Sequence, residues 1–213
     1  VPLYAGFGIF KLMRALAVFL VAYNYLREEE DIRFILLVMA AIVTLEFALT
    51  LLQRMQGTYR AQGSTPHSNT LAVYANLFNM IFFANILGKK VKHTPLYWAC
   101  LGMGTLMVFA TFSRGALVAM VLGYALVALL SLGHRLTPRK FQVLGLLFLL
   151  ALPLAAKVGP AIIDRFLNAP VESGESRHVA NQAAIAMAND HILGVGLNNY
   201  SHAINETDYI RFI

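Results

Sequence analysis

Apolar residues run along this chain in blocks of about bilayer length, broken by short stretches that carry charge, glycine or proline. A helix that crosses a bilayer needs about 20 mostly apolar residues. Residues 34–52 form the clearest block, and 71–87, 95–112, 115–132 and 141–156 follow it. Residues 4–26 are less regular, because Lys11 and Arg14 interrupt them, but their length completes a set of six predicted transmembrane helices. Beyond the sixth block hydropathy falls. There Val179, Ala183 and Met187 recur every four residues and predict a short amphipathic helix with Arg177 in its first turn. Asn189, Asp190 and His191 mark its end, before a glycine turn at Gly194, Val195 and Gly196. The expected organisation is all-α and polytopic, with a transmembrane region over 1–157 and an extracytoplasmic segment over 158–213.

Composition agrees with this solvent. Of the residues, 58% are hydrophobic and 13% charged, and the mean hydropathy is +0.63. A soluble domain keeps about a quarter of its residues charged, so this chain cannot wet a globular surface. Cys100 is the sole cysteine, which excludes an intrachain disulfide and a cysteine-based zinc site. The net charge of +6 would suggest nucleic acid in a soluble protein. In a membrane protein it marks cytoplasmic loops, so no nucleic-acid partner is expected. Arg27 and Arg33, then Lys89, Lys90 and Lys92, then Arg135, Arg139 and Lys140 occupy alternate loops and place those loops in the cytoplasm. Residues 53–69, the junction before Arg114 and everything after Lys157 then fall outside, although Arg54, Arg60 and Arg114 weaken the asymmetry. The chain starts at Val1 without a methionine and stops after a polar stretch, so it is expected to be a piece of a longer protein.

Three arginines on the expected outer side are candidates for binding an anion. Arg60 lies in a turn-rich stretch with His67 that leads into a helix which Ser68 or Asn69 can cap, and a helix N-terminus favours phosphate. A plain basic loop at the headgroups accounts for the stretch equally well. Arg114 falls between two apolar blocks with almost no polar loop around it, so it faces protein, phosphate or, by snorkelling, headgroups. Arg177 sits near a helix start, where the macrodipole disfavours a cation; Glu172 or Glu175 could pair with it. Glu46, Lys11 and Arg14 are ionisable groups within predicted spans; a structural Lys11–Glu46 pair is expected first, and a role in binding a lipid-linked anion second. His67, His178, His191 and His202 could each act as a base, but no sequence motif marks any of them for that role. No metal-ligand spacing occurs, so neither metal nor cofactor is expected.

An ordered set of short motifs resembles the bacterial O-antigen ligase and O-antigen polymerase superfamily. Phe112, Ser113, Arg114, Gly115 and Ala116 open a helix; Ser176 and Arg177 precede an Ala-rich helix; and the run from Asp190 through Gly194, Gly196 and Asn199 to Tyr200 follows. The Arg60 segment with Gly63, His67 and Asn69 is similar to the preceding outer loop of that family. The resemblance implies a GT-C-like membrane glycosyltransferase that moves or polymerises a polyprenyl-diphosphate-linked glycan onto a lipid or glycan acceptor, without a metal, at the periplasmic face of the bacterial inner membrane. It also implies that Arg114, Arg177 and Arg60 bind the diphosphate. The family's histidine base, followed by asparagine, would lie beyond Ile213, so the piece alone is expected to be inactive. The main rival is a transporter or lipid-linked glycan flippase subunit, although the inverted repeats common in transporters are absent here.

The charge pattern yields a topology test. Single cysteines at Ser64 and Gly174, in a Cys100→Ala background, are expected to react with an impermeant thiol reagent in intact spheroplasts. Labelling only after lysis would invert the orientation.

Overall fold

The computed structural model describes residues 2–88, 94–134, 136–167, 172–191 and 193–206. Among them every regular element is a helix: α1 (Pro2–Tyr25), α2 (Glu29–Met55), α3 (Ser68–Leu87), α4 (Thr94–Ala110), α5 (Arg114–His134), α6 (Pro138–Leu167), α7 (Glu172–Asp190) and α8 (Tyr200–Glu206). Four of these are long and apolar enough to cross a membrane, at Ala5–Tyr25, Glu29–Met55, Ser68–Leu87 and Arg114–Gly133; Thr94–Ala110 is apolar and shorter. The protein is therefore a polytopic helical membrane protein. Lys89, Lys90, Lys92 and Arg135, which bear much of the orientation argument, lie outside the described residues.

The helices extend past the apolar blocks because charge and capping act at their ends. Asp31 accepts hydrogen bonds from the backbone of Arg27 and Glu28 at 3.3 and 3.2 Å, and Glu29, Glu30 and Asp31 complement the positive end of α2. α6 likewise continues to Leu167, so the expected division after residue 157 falls within a continuous helix.

The chain forms two compact units, 32–167 and 1–31 with 168–213. In the first, α3 packs against both α4 and α5. It is mostly apolar, with Asn76 and Asn79 as polar side chains turned to its neighbours. Phe82, Phe83 and Ile86 of α3 join Val43 of α2, Tyr97, Cys100 and Met107 of α4, Met120 of α5 and Val143 of α6 in one core. Small residues bring the helices close, and polar side chains then tie them. Asn76 Nδ2 donates to Ala116 O at 2.8 Å, and the hydroxyls of Thr105 and Tyr124 lie 2.9 Å apart. Gly104 on α4 faces the fully buried Asn79, whose carboxamide has no hydrogen-bond partner among the described residues.

In the second unit, Ala183 and Met187 of α7 bury against Ala203 and Ile204 of α8, and Tyr200 Oη donates to Ala180 O at 2.7 Å. This is the face expected from the four-residue spacing. The connecting turn contains Gly194 and Gly196 at φ 73° and 95°, in the left-handed region that suits glycine. Leu197 and Asn198 of that turn lie against Gly8 of α1.

A side chain at position 104 has nowhere to go, so Gly104→Leu should cost about 1–3 kcal/mol by overpacking. Gly102, on the same helix, is exposed with open space around it. Thermal unfolding in detergent is expected to show a lowered Tm for Gly104→Leu and no loss for Gly102→Leu.

Candidate functional site

Within 32–167, four helix ends meet at one end of the bundle: α2 stops at Met55, α3 starts at Ser68, α4 stops at Ala110 and α5 starts at Arg114. The α2–α3 connection is laid over the α4–α5 corner. The Ala61 amide donates to Ala110 O at 3.1 Å. Arg60 adds two further ties, from Nε to Thr111 O at 3.0 Å and from Nη2 to Asn69 Oδ1 at 2.9 Å. A guanidinium that spans two helix ends in this way uses the planar fork that distinguishes arginine from lysine.

The corner itself is strained. Phe112 has φ 49°, a left-handed conformation that costs a bulky residue about 1–2 kcal/mol. Its ring is held between neighbours: Tyr59 stacks on it at 5.1 Å with 6° between the planes, and the Arg54 guanidinium lies 5.4 Å from its centroid. Arg54 also donates to the carbonyls of Thr58 and Tyr59 at 3.0 and 2.6 Å. Ser113 follows, its amide donating to Thr111 Oγ1 at 3.3 Å and its carbonyl accepting from the Leu117 amide at 3.0 Å. α5 therefore starts abruptly at Arg114, with first-turn amides that have no acceptor within the helix and the positive end of its dipole at that point. The Arg114 side chain is half-buried and has no hydrogen-bond or ion-pair partner among the described residues. Strain of this kind persists only where the surroundings enforce it, and it often marks a functional site.

Arg60 and Arg114 thus belong to one corner of the bundle. Arg177 lies on α7, in the other unit, and its side chain is outside the described residues. Its position in the helix differs from expectation: α7 starts at Glu172, so Arg177 falls in the second turn.

One further expectation is corrected. Neither Ser68 nor Asn69 caps α3; the N-cap is His67, without a side-chain bond, and Asn69 instead accepts from Arg60. Of the two residues expected to pair, Lys11 belongs to the unit of 1–31 with 168–213 and Glu46 to the unit of 32–167. Lys11 is exposed, with Nζ 5.8 Å from the Phe7 ring centroid. Glu46 accepts from the Ser64 amide at 3.0 Å and from its hydroxyl. Depth along a helix can be read from sequence, but the direction in which a side chain points around its axis cannot.

Gln53, Tyr59, Asn69, Thr111 and Phe112 all shape this corner; Asn69 and Phe112 belong to the family-like motifs, but Gln53, Tyr59 and Thr111 stand out by no motif. The one available signal was the seven-residue spacing of Glu46 and Gln53, which sets two polar residues on one face of an apolar helix. Of the candidate histidines, His67, His178 and His191 are exposed; His178 Nε2 lies 3.1 Å from Gln182 Nε2. Among the described residues no three His, Cys, Asp or Glu side chains cluster closely enough to hold a metal ion.

A family model described as O-antigen ligase matches residues 98–212. The match covers the strained corner, α5, α6, α7 and the glycine turn. No curated protein matches the chain. No solved structure matches it either.

Proposed function

The chain belongs to the O-antigen ligase family, and on that premise we propose that its α4–α5 corner binds the diphosphate of a polyprenyl-linked glycan donor. Family membership makes the protein a multi-pass, glycosyl-transferring membrane protein of surface-polysaccharide biosynthesis. In the reaction proposed, the bond between the anomeric carbon and the diphosphate oxygen breaks, and the diphosphate leaves with the electron pair. An acceptor hydroxyl on a lipid or glycan forms the new bond and gives its proton to a base. The reading assigns that base to none of the chain's histidines.

The observation that carries this reading is Arg114. It is half-buried, without a partner among the described residues, and placed where the amides and dipole of α5 add to its charge. Arg60, bound to the same corner through Thr111, adds a second guanidinium. Arg177 is the third proposed ligand, on its place in the motif before the Ala-rich helix. A departing diphosphate develops negative charge, and preorganised guanidinium forks stabilise it in the role that Mg²⁺ plays elsewhere. The site faces the periplasm of the inner membrane in this reading, as the cationic loops at the other ends of the helices suggest.

Replacement by lysine keeps charge but loses the bidentate fork. Membranes from cells carrying the gene with Arg114→Lys or Arg177→Lys are expected to lose about 10- to 100-fold in glycan transfer at normal protein levels, as for loss of a charge-assisted hydrogen bond. Lipid-linked glycan should accumulate in those cells. Full activity in both variants would show that general surface charge suffices. Transfer by the unaltered protein is expected to survive EDTA; loss restored by Mg²⁺ or Mn²⁺ would refute the arginine-only account of leaving-group stabilisation.

A further inference from the structure

Glu46 and Gln53 are one heptad apart on α2, so they lie on the same face of an apolar helix, one above the other. Between them the two side chains bond three consecutive residues of the α2–α3 connection, Gln53 taking Gln62 and Gly63 and Glu46 taking Ser64. Gln53 Oε1 accepts from the amides of Gln62 and Gly63, each at 2.9 Å, and its Nε2 donates to Gly63 O at 2.8 Å. Glu46 Oε2 accepts from the Ser64 amide at 3.0 Å, and Oε1 from the Ser64 hydroxyl. Gly63, at φ 58°, has no room for a Cβ because the Glu46 carboxylate occupies that space.

A carboxylate within a transmembrane helix carries a large desolvation cost and calls for a reason. Among the described residues no cation pairs with Glu46, so charge neutralisation does not explain it. Its bonds fix the backbone just after Arg60, while the Ala61–Ala110 bond fixes it on the other side of the bundle end. The connection is thereby held at two points, and Arg60 projects from beside them onto Thr111 and Asn69.

We propose that Glu46 is a positioning residue for Arg60: with Gln53 it clamps residues 62–64 and so presents the Arg60 guanidinium at the corner that carries Arg114. The inference rests on the reading of Arg60 as a diphosphate ligand. What the clamp needs from Glu46 is two bonds to Ser64, not a proton or a net charge. Glutamine can supply both, since its carbonyl accepts from the amide and its NH₂ donates to the freely rotating hydroxyl.

The test uses membranes from cells carrying the gene with Arg60→Ala, Glu46→Ala, Glu46→Gln, Ser64→Ala or Glu46→Ala with Arg60→Ala. Transfer is measured against donor concentration at matched protein levels. Arg60→Ala is expected to raise the donor KM about tenfold, as for loss of a charged hydrogen bond. Glu46→Ala should raise it comparably with a smaller change in kcat, Ser64→Ala less, and Glu46→Gln should restore most of the affinity. The double variant should be no worse than Arg60→Ala alone, because residues acting through one another are not additive. If Glu46→Ala fails to accumulate, Ser64→Ala and Glu46→Gln read the same contact. Additive losses, or a Glu46→Gln defect as deep as that of Glu46→Ala, would overturn the positioning role while leaving Arg60 as a ligand. A normal donor KM in Arg60→Ala would remove both the ligand and its positioner.

Discussion

Hydrocarbon offers no water to an unpaired amide or carbonyl, and this single constraint shapes the whole chain. Within the apolar blocks it permits only helices, and it moves every irregular backbone segment to their ends. Association of the helices then cannot rest on apolar burial, since lipid is as apolar as leucine. Close approach at Gly104 and Ala116, with the Asn76 and Thr105–Tyr124 hydrogen bonds, serves instead. α3 is central, with its Asn76 turned to α5 and its Asn79 to α4 rather than to lipid.

The ends of the bundle carry what its middle cannot. At the α2–α3 and α4–α5 ends, arginine acts in two ways. Arg54 is spent on structure, filling the carbonyls of Thr58 and Tyr59 and flanking the Phe112 ring, while Arg60, a proposed diphosphate ligand, is anchored at the corner by its bonds to Thr111 and Asn69. Arg114 has no such duty among the described residues. A left-handed phenylalanine is a costly way to turn a chain, and glycine would turn it more easily. What Phe112 supplies in return is a ring that Tyr59 and Arg54 can grip, so the corner is both abrupt and rigid. Rigid placement of a cation beside a helix start is what an anion site requires.

The sequence by itself determined the solvent, the class and the number of apolar blocks, because a hydrophobic period and a span length are local properties that bilayer thickness reads directly. It also marked the amphipathic face of α7 and the glycine turn, where spacing and backbone freedom leave little choice. The motif around Arg114 was legible for the same reason, since an abrupt stop between two long apolar runs is visible without any fold.

Only the tertiary structure decided which partners the polar side chains take. Glu46 was visible as an anomaly, but its bond to Ser64 depends on how far α2 is turned about its axis and on a reverse turn at Gly63. Asn69 suited a helix cap by type and became a ligand of Arg60 by position. The Tyr59–Phe112 stack joins two connections that are remote in sequence and adjacent only because α3 and α4 return the chain to the same end. Spacing along a helix fixes which residues share a face; which neighbour that face meets is set by packing, and packing is a property of the assembled bundle.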